Sequence, residues 1–205
     1  EDIVLSSTQD LAYVFGLVHD SELIDSNFKI QCNNLQYRKS TGSIINPSGF
    51  YHTGDTQPAI SLGSCLLSNS KVHINVDNCI SDFPCIRMVS GTDSYVGNEA
   101  SSILVTGNYT TNDTYCIILD ELNAQGNSPN KYITFDGTFI SKVKNVISDD
   151  RGTNALSPII FKGLYKTEAT SHPVVAIREP VAFDNARLIV ADNTQEDIHT
   201  DNGTD

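Results

Sequence analysis

The sequence predicts an all-β fold, and three observations favour it. Short runs rich in Val, Ile, Tyr, Phe and Thr, each about four to ten residues long, recur along the chain. Turn-forming segments such as 46–49 (NPSG) and 126–129 (GNSP) separate these runs. Charged residues make up only 19% of the chain, and Ser, Thr, Asn and Gly fill their place. Such small polar residues compete with helical hydrogen bonds, so helices are disfavoured.

One run shows the strand pattern most clearly. In 71–76 (KVHINV) apolar and polar residues alternate, so Val72, Ile74 and Val76 are predicted to face the core, opposite His73 and Asn75. The predicted strands lie at 28–32, 57–62, 71–76, 85–90, 102–106, 114–119, 131–135, 138–147, 158–162, 173–178 and 186–191.

Turns are predicted where Gly follows or precedes a polar residue. Asp136–Gly137 lies between apolar flanks and predicts a tight hairpin. Gly107–Asn108 is predicted to end a strand, and 107–114 to form a loop. Residues 8–18 fit a capped helix and a strand almost equally well.

Two architectures fit the spacing of about 13 to 17 residues between runs in the middle of the chain. One is a compact β-barrel or sandwich with long decorated loops, and the other is a short right-handed β-solenoid. A solenoid usually has a stricter period, so the barrel or sandwich is preferred. Residues 1–191 are predicted to form a single domain and 192–205 an acidic, polar, solvated tail, because no Lys or Arg follows Arg187.

The net charge and the length of the apolar runs disfavour two classes of partner. The net charge is −12, and no basic cluster offers a face to phosphates, so nucleic acid is not an expected partner. The chain has no run of 18 apolar residues, so direct membrane insertion is not expected either.

Five cysteines, an odd number, are spaced irregularly and form no C-x-x-C pair. Cys65, Cys79 and Cys116 each lie in an apolar stretch, which predicts buried free thiols and synthesis in a reducing compartment. A secreted protein is the alternative, because Asn108 and Asn112 begin N-x-T sequons, as does Asn202.

Motifs of catalysis and metal binding are missing from the sequence. It contains no G-x-S-x-G, no phosphate-binding glycine loop, no H-E-x-x-H and no EF-hand. Its carboxylates are scattered, and the sequence does not indicate which of them converge. The protein is therefore predicted to bind rather than catalyse, without a metal or other cofactor.

Aromatic residues among turn formers are the candidate contacts. The segment 46–57 (NPSGFYHTGDTQ) contains Tyr51, His52 and Asp55, and exposed aromatic rings can stack on sugars or on a protein partner. Tyr95 in 91–98 and Tyr109 in 107–114 have the same character. These five residues are predicted to bind a receptor; the alternative for Tyr51 is that it packs into the core at a strand end.

Two stretches, 49–63 (GFYHTGDTQPAISLG) and 172–183 (HPVVAIREPVAF), together with the acidic end and the general profile, resemble the projection (spike) domain of astrovirus capsid proteins, including avian ones. The resemblance implies a β-barrel core and a homodimer on the virion surface, made in the host cytoplasm. It also implies attachment to a host-cell glycan or protein receptor and exposure to neutralising antibodies. The rival assignment is a homotrimeric phage tail-fibre or tailspike fragment that binds or cleaves host polysaccharide, which would suit the solenoid.

Overall fold

The computed structural model describes residues 2–7, 15–17, 21–39, 58–63, 65–89, 102–120, 133–150, 159–170, 173–177, 181–189 and 198–200. All of their regular structure is β. The strands are β1 (Asp2–Ser7), β2 (Phe15–Leu17), β3 (Ser21–Ile24), β4 (Asn27–Lys39), β5 (Ile60–Gly63), β6 (Cys65–Ser68), β7 (Lys71–Ser81), β8 (Ile86–Val89), β9 (Ser102–Thr111), β10 (Ile117–Asp120), β11 (Ile133–Ser141), β12 (Ile147–Asp150), β13 (Ile159–Thr167), β14 (Val175–Ile177), β15 (Val181–Ile189) and β16 (Ile198–Thr200).

The strands form two large sheets and a small one. The first sheet has the order β1-β4-β7-β9-β11-β13-β15, and the second has the order β16-β14-β12-β10-β8-β5-β2. A two-stranded sheet joins β3 and β6. Every strand pairing in the described part of the chain is parallel. The all-β prediction is confirmed, with parallel sheets.

From β7 onward, successive described strands lie alternately in the first and second sheets. The long strands stack in register: Ile74 pairs with Val105, Val105 with Phe135, and Phe135 with Phe161. These partners are 31, 30 and 26 residues apart, and all four side chains are fully buried. The core therefore consists of columns of apolar side chains, one from each successive strand.

The alternation predicted for 71–76 is confirmed. Val72, Ile74 and Val76 are buried, whereas His73 and Asn75 are partly exposed on the opposite face of β7. Facing columns come from the short strands of the second sheet, among them Ile60, Ile86, Ile117 and Ile147, each completely buried.

Aromatic rings form one of the inner columns. The ring of Phe139 stacks between Tyr109, at a centroid distance of 5.1 Å, and Tyr165, at 5.0 Å. The Tyr109 hydroxyl donates to the carbonyl of Thr106 at 2.9 Å, and that of Tyr165 donates to the carbonyl of Phe135 at 3.1 Å. Both hydroxyl groups are thus satisfied within the interior, as buried polar groups require.

Two turn predictions are wrong. Asp136–Gly137 lies inside the uninterrupted strand β11, and Gly107–Asn108 lies inside β9. Gly107, Gly137 and Gly163 occupy the same register position on three successive strands. A Cβ atom built on Gly137 would lie 2.3 Å from the carbonyl oxygen of Gly107. These glycines therefore serve a close approach of neighbouring backbones within the sheet.

Buried hydroxyl groups end the long strands. Ser141 donates to the carbonyl of Thr114 at 2.9 Å and accepts from the backbone N–H of Lys144 at 3.1 Å. Thr167 donates to the carbonyl of Lys144 at 2.7 Å. The series occupies one register position on four strands: Ser81, Thr111, Ser141 and Thr167, each fully buried.

Two short strands lie near the two ends of the chain. Phe15–Leu17, within the ambiguous 8–18 stretch, is a strand, while residues 8–14 and 18 lie outside the described part. Ile198–Thr200, which lies within 192–205, pairs with β14 in the second sheet.

Candidate binding surface

The outer face of the first sheet carries a column of polar side chains, one from each of five successive strands. This polar column consists of Gln31, Asn75, Thr106, Asp136 and Lys162, which are partners in the parallel register. Gln31 and Asp136 are exposed and the other three are half-buried. Because neighbouring strands lie about 4.8 Å apart, the column repeats donors and acceptors at that interval.

Hydrogen bonds tie one end of the polar column together. The Thr106 hydroxyl donates to Asn75 Oδ1 at 2.7 Å and lies 2.9 Å from His73 Nε2. Because a threonine hydroxyl has only one hydrogen, the contact with His73 requires Nε2 to carry the proton and donate. Asn75 Nδ2 in turn donates to Asp77 Oδ1 at 2.7 Å. The network holds the amide and imidazole groups in fixed orientations on the surface.

The two charged members of the polar column have opposite signs. Asp136 and Lys162 are neighbours in register on β11 and β13. An exposed carboxylate beside an ammonium presents an acceptor and a donor to a ligand with many hydroxyl groups, while adding no net charge. This arrangement suits a neutral, hydroxyl-rich ligand better than a strongly charged one.

The second sheet has a different outer face. Ser61, Arg87 and Ile118 lie in register there, and each is less than one-tenth exposed. Arg87 is only 4% exposed, which is unusual for a residue with a charged guanidinium group. The sequence pattern did not single it out.

Three thiols meet in the interior. Cys79 Sγ lies 3.7 Å from Cys85 Sγ, and Cys116 Sγ contacts the Tyr109 carbonyl at 3.7 Å. Burial, followed by hydrogen bonds to Cys116 and Cys79, raises the pKa of the Cys85 thiol well above its ordinary value. Cys79 and Cys116 are confirmed as buried thiols outside disulfides, and Cys85 shares that state. Cys32 is also buried, and the side chain of Cys65 lies outside the described set.

The predicted receptor contacts fall into two groups. Tyr51, His52, Asp55 and Tyr95 lie outside the described residues. Tyr109 lies in β9 with its side chain fully buried, so the structure places it in the aromatic column of the core. Burial also raises its pKa well above the ordinary value. The sequence suggested a loop because Gly107–Asn108 precedes it.

The polar column was only partly visible in the sequence. The alternation in 71–76 put Asn75 on the outer face, and the same pattern in 133–140 would have added Asp136. That these residues form one column follows only from the register of strands 26 to 44 residues apart, as between Phe135 and Phe161 or Ile30 and Ile74.

No group of three His, Cys, Asp or Glu side chains suited to a metal ion occurs within the described ranges. A search for helices long and apolar enough to cross a membrane finds none in the same ranges. Comparisons of the chain with protein-family models, with curated proteins and with solved structures give no match.

Proposed function

We propose that this protein is a viral surface-attachment module, built as a parallel β-solenoid, that holds a hydroxyl-rich polysaccharide against its polar column. In this proposal the barrel or sandwich gives way to the solenoid. The phage tail-fibre or tailspike assignment accordingly takes precedence over the capsid projection domain. The module binds, and no step of catalysis is assigned to it.

The parallel register is the observation that carries the proposal. A solenoid adds one strand to each sheet with every turn, so its strands alternate between sheets and pair in parallel with those of the next turn. The alternation of β7, β8, β9, β10, β11 and β12 between the two large sheets has this form. Long strands that stack in parallel register form an extended surface on which side chains of similar chemistry recur from turn to turn.

A repeating surface suits a repeating ligand. The polar column offers amide, hydroxyl, carboxylate and ammonium groups at successive turns, and a polysaccharide offers hydroxyl groups at successive sugars. The hydrogen bonds that join His73 and Asn75 through the Thr106 hydroxyl lower the entropic cost of fixing these side chains on binding. The acidic chain as a whole disfavours polyanions such as nucleic acid.

Binding to an array of immobilised bacterial capsular polysaccharides and animal cell-surface glycans tests the proposal. The informative variant is Asp136→Ala, because Asp136 is an exposed member of the column. The matched control is Glu168→Ala, which removes the same charge from an exposed side chain whose partner is Lys166, at 2.9 Å. A lost charge-assisted hydrogen bond of about 1.5 kcal/mol predicts binding roughly tenfold weaker for Asp136→Ala alone.

Each result has a clear meaning. Binding to capsular polysaccharide, weakened by Asp136→Ala only, supports the tail-fibre assignment and the polar column. Binding to animal glycans, with a compact dimer in light scattering, would favour the capsid projection instead. Equal binding by both variants would remove the polar column from the contact surface, and no binding on either half of the array would contradict a polysaccharide ligand.

A further inference from the structure

Two of the buried thiols meet at the corner between the two large sheets. Cys79 lies near the end of β7, and Cys85 is the residue immediately before β8. Both side chains are 0% exposed, and the Cys79 thiol donates a weak hydrogen bond to Cys85 Sγ at 3.7 Å. The two sulfur atoms are therefore in contact across a short corner formed by residues 80–84.

Hydrogen bonds on both sides of this corner hold the two thiols in place. The backbone N–H of Phe83 donates to the Ser81 hydroxyl at 3.0 Å, which fixes the turn after β7. At the start of β8, the N–H of Ile86 donates to the carbonyl of Cys116 at 3.0 Å. The fold thus brings the two sulfur atoms together without a covalent bond, and such positioning raises the effective concentration of one thiol at the other.

Cys116 is the other thiol beside Cys85, and its geometry differs. It immediately precedes β10, the parallel neighbour of β8, so Cys85 and Cys116 occupy equivalent positions on adjacent strands. Side chains at equivalent positions extend in the same direction, whereas Cys79 and Cys85 approach each other from different sheets. The Cys116 thiol donates to the carbonyl of Tyr109 at 3.7 Å. Because a disulfide requires side chains that converge, Cys79 is the better partner for Cys85.

The surroundings of the pair suit a neutral form of sulfur. Burial raises the pKa of Cys85 well above its ordinary value, because apolar surroundings stabilise a thiolate poorly. A disulfide is apolar and has no ionisable hydrogen. Its formation requires the sulfur atoms to approach by roughly 1.7 Å, to a separation of about 2.0 Å. The contact that Cys85 gives up is a weak one, from its thiol to the carbonyl of Thr110 at 3.7 Å.

We propose that Cys79 and Cys85 are a site of oxidative modification, at which a small-molecule disulfide such as oxidised glutathione joins the two thiols into an internal disulfide as the chain folds. The thiolate of one cysteine attacks the oxidant, forms a mixed disulfide and releases one glutathione thiolate. The thiolate of the other cysteine then attacks the protein sulfur of the mixed disulfide and releases the second glutathione thiolate. The two protons lost by the cysteines pass to the two released thiolates.

The modification depends on the redox state of the compartment. The bond stays open in a reducing compartment, such as that predicted for synthesis, and closes in an oxidising one. Closure joins the end of β7 covalently to the start of β8. This inference is independent of the proposed function, because neither cysteine belongs to the polar column.

The positions of Lys and Arg make the bond directly measurable. Trypsin cleaves after Lys71 and Arg87 and gives a peptide, 72–87, that contains Cys79 and Cys85 and no other cysteine. Their disulfide makes this peptide lighter by two hydrogen atoms, whereas every other internal pairing links two peptides. The reduced chain is unfolded in urea; one half refolds by dilution with reduced and oxidised glutathione, and the other half stays in urea at the same glutathione ratio. Remaining thiols are alkylated, and mass spectrometry measures the peptides.

We expect the ratio of disulfide to dithiol in peptide 72–87 to be at least tenfold higher in the refolded half, because folding holds the two sulfur atoms in contact. Cys116→Ala should leave this ratio unchanged. Cys79→Ala should leave Cys85 a thiol instead of linking it to Cys116. Equal ratios in the two halves of the unaltered chain would overturn the proposal, and so would a refolded chain in which peptide 72–87 is linked mainly to peptide 88–131, which contains Cys116.

Discussion

The glycine column gives the most demanding test of the parallel register. In the variant Gly107→Ala, the new Cβ atom would lie 1.9 Å from the carbonyl oxygen of Val76 and 2.7 Å from its carbonyl carbon. Real Cβ atoms do not approach closer than 3.0 Å, so β9 and β7 must separate by at least about 1.1 Å at this point. Strands are about 4.8 Å apart, so such a shift breaks local ladder hydrogen bonds.

The magnitude follows from three contributions. One or two lost hydrogen bonds cost about 1 kcal/mol each, and overpacking against backbone adds about 1–3 kcal/mol. The φ of Gly107 is +117°, which an alanine adopts only with strain of about 1–3 kcal/mol. We therefore expect Gly107→Ala to lower the free energy of unfolding by roughly 3–8 kcal/mol, the sum of these three contributions.

Two companion variants make the reasoning refutable. Gly137→Ala meets the Gly107 carbonyl oxygen at 2.3 Å but is not in the positive-φ region, so it should cost less than Gly107→Ala. Thr138→Ala, at the next and partly exposed position, should change stability by less than about 0.5 kcal/mol. Urea unfolding followed by circular dichroism measures all three. A loss below about 1 kcal/mol for Gly107→Ala, or a larger loss for Gly137→Ala, would refute the close backbone approach.

Four further predictions concern buried groups. Ser141→Ala should lower the free energy of unfolding in urea by about 1 kcal/mol, since it leaves the Lys144 N–H without its partner and removes one of the two hydrogen bonds to the Thr114 carbonyl, which keeps the Thr111 hydroxyl. Lys166→Ala on the surface should change it little. Burial raises the pKa of Tyr165, so the folded protein keeps this hydroxyl neutral while the unfolded chain ionises above pH of about 10. The stability due to Tyr165 is therefore complete below that pH and falls as the pH rises, and Tyr165→Phe should show a shallower alkaline decline in Tm. The raised pKa of Cys85 acts in the same direction from its lower ordinary value, and Cys85→Ala should delay the onset of that decline. In native buffer, a thiol reagent should react slowly with Cys32, Cys79, Cys85 and Cys116, which are buried, and quickly with all five cysteines after unfolding. Rapid labelling of two or more cysteines in native buffer would contradict the buried core.

Local patterns predict several features that depend on one strand alone. Alternation in 71–76 placed Val72 and Ile74 inside, and the apolar surroundings of Cys79 and Cys116 predicted buried thiols. The positions of most strands followed from runs of β-branched and aromatic residues, because these residues favour a pleated, half-buried surface irrespective of the partner strand.

Only the tertiary structure decided how the strands pair. A parallel neighbour lies 26 to 44 residues away, as Phe135 and Phe161 or Ile30 and Ile74 show, and no local pattern specifies so distant a partner. The role of Gly137 also depends on distant partner strands, because the local pair Asp136–Gly137 by itself predicts a turn. Its role becomes visible only beside Gly107 and Gly163.

The candidate surface shows the same division. The sequence by itself determined that Asn75 and His73 face away from the core, because side chains alternate along a strand. Stacking determined that Asn75, Thr106 and Asp136 form one column, and that Tyr109 belongs to the core rather than to a loop. Alternation is a property of the single strand, whereas register is an interaction between strands, and it is register that assembles this protein's surface.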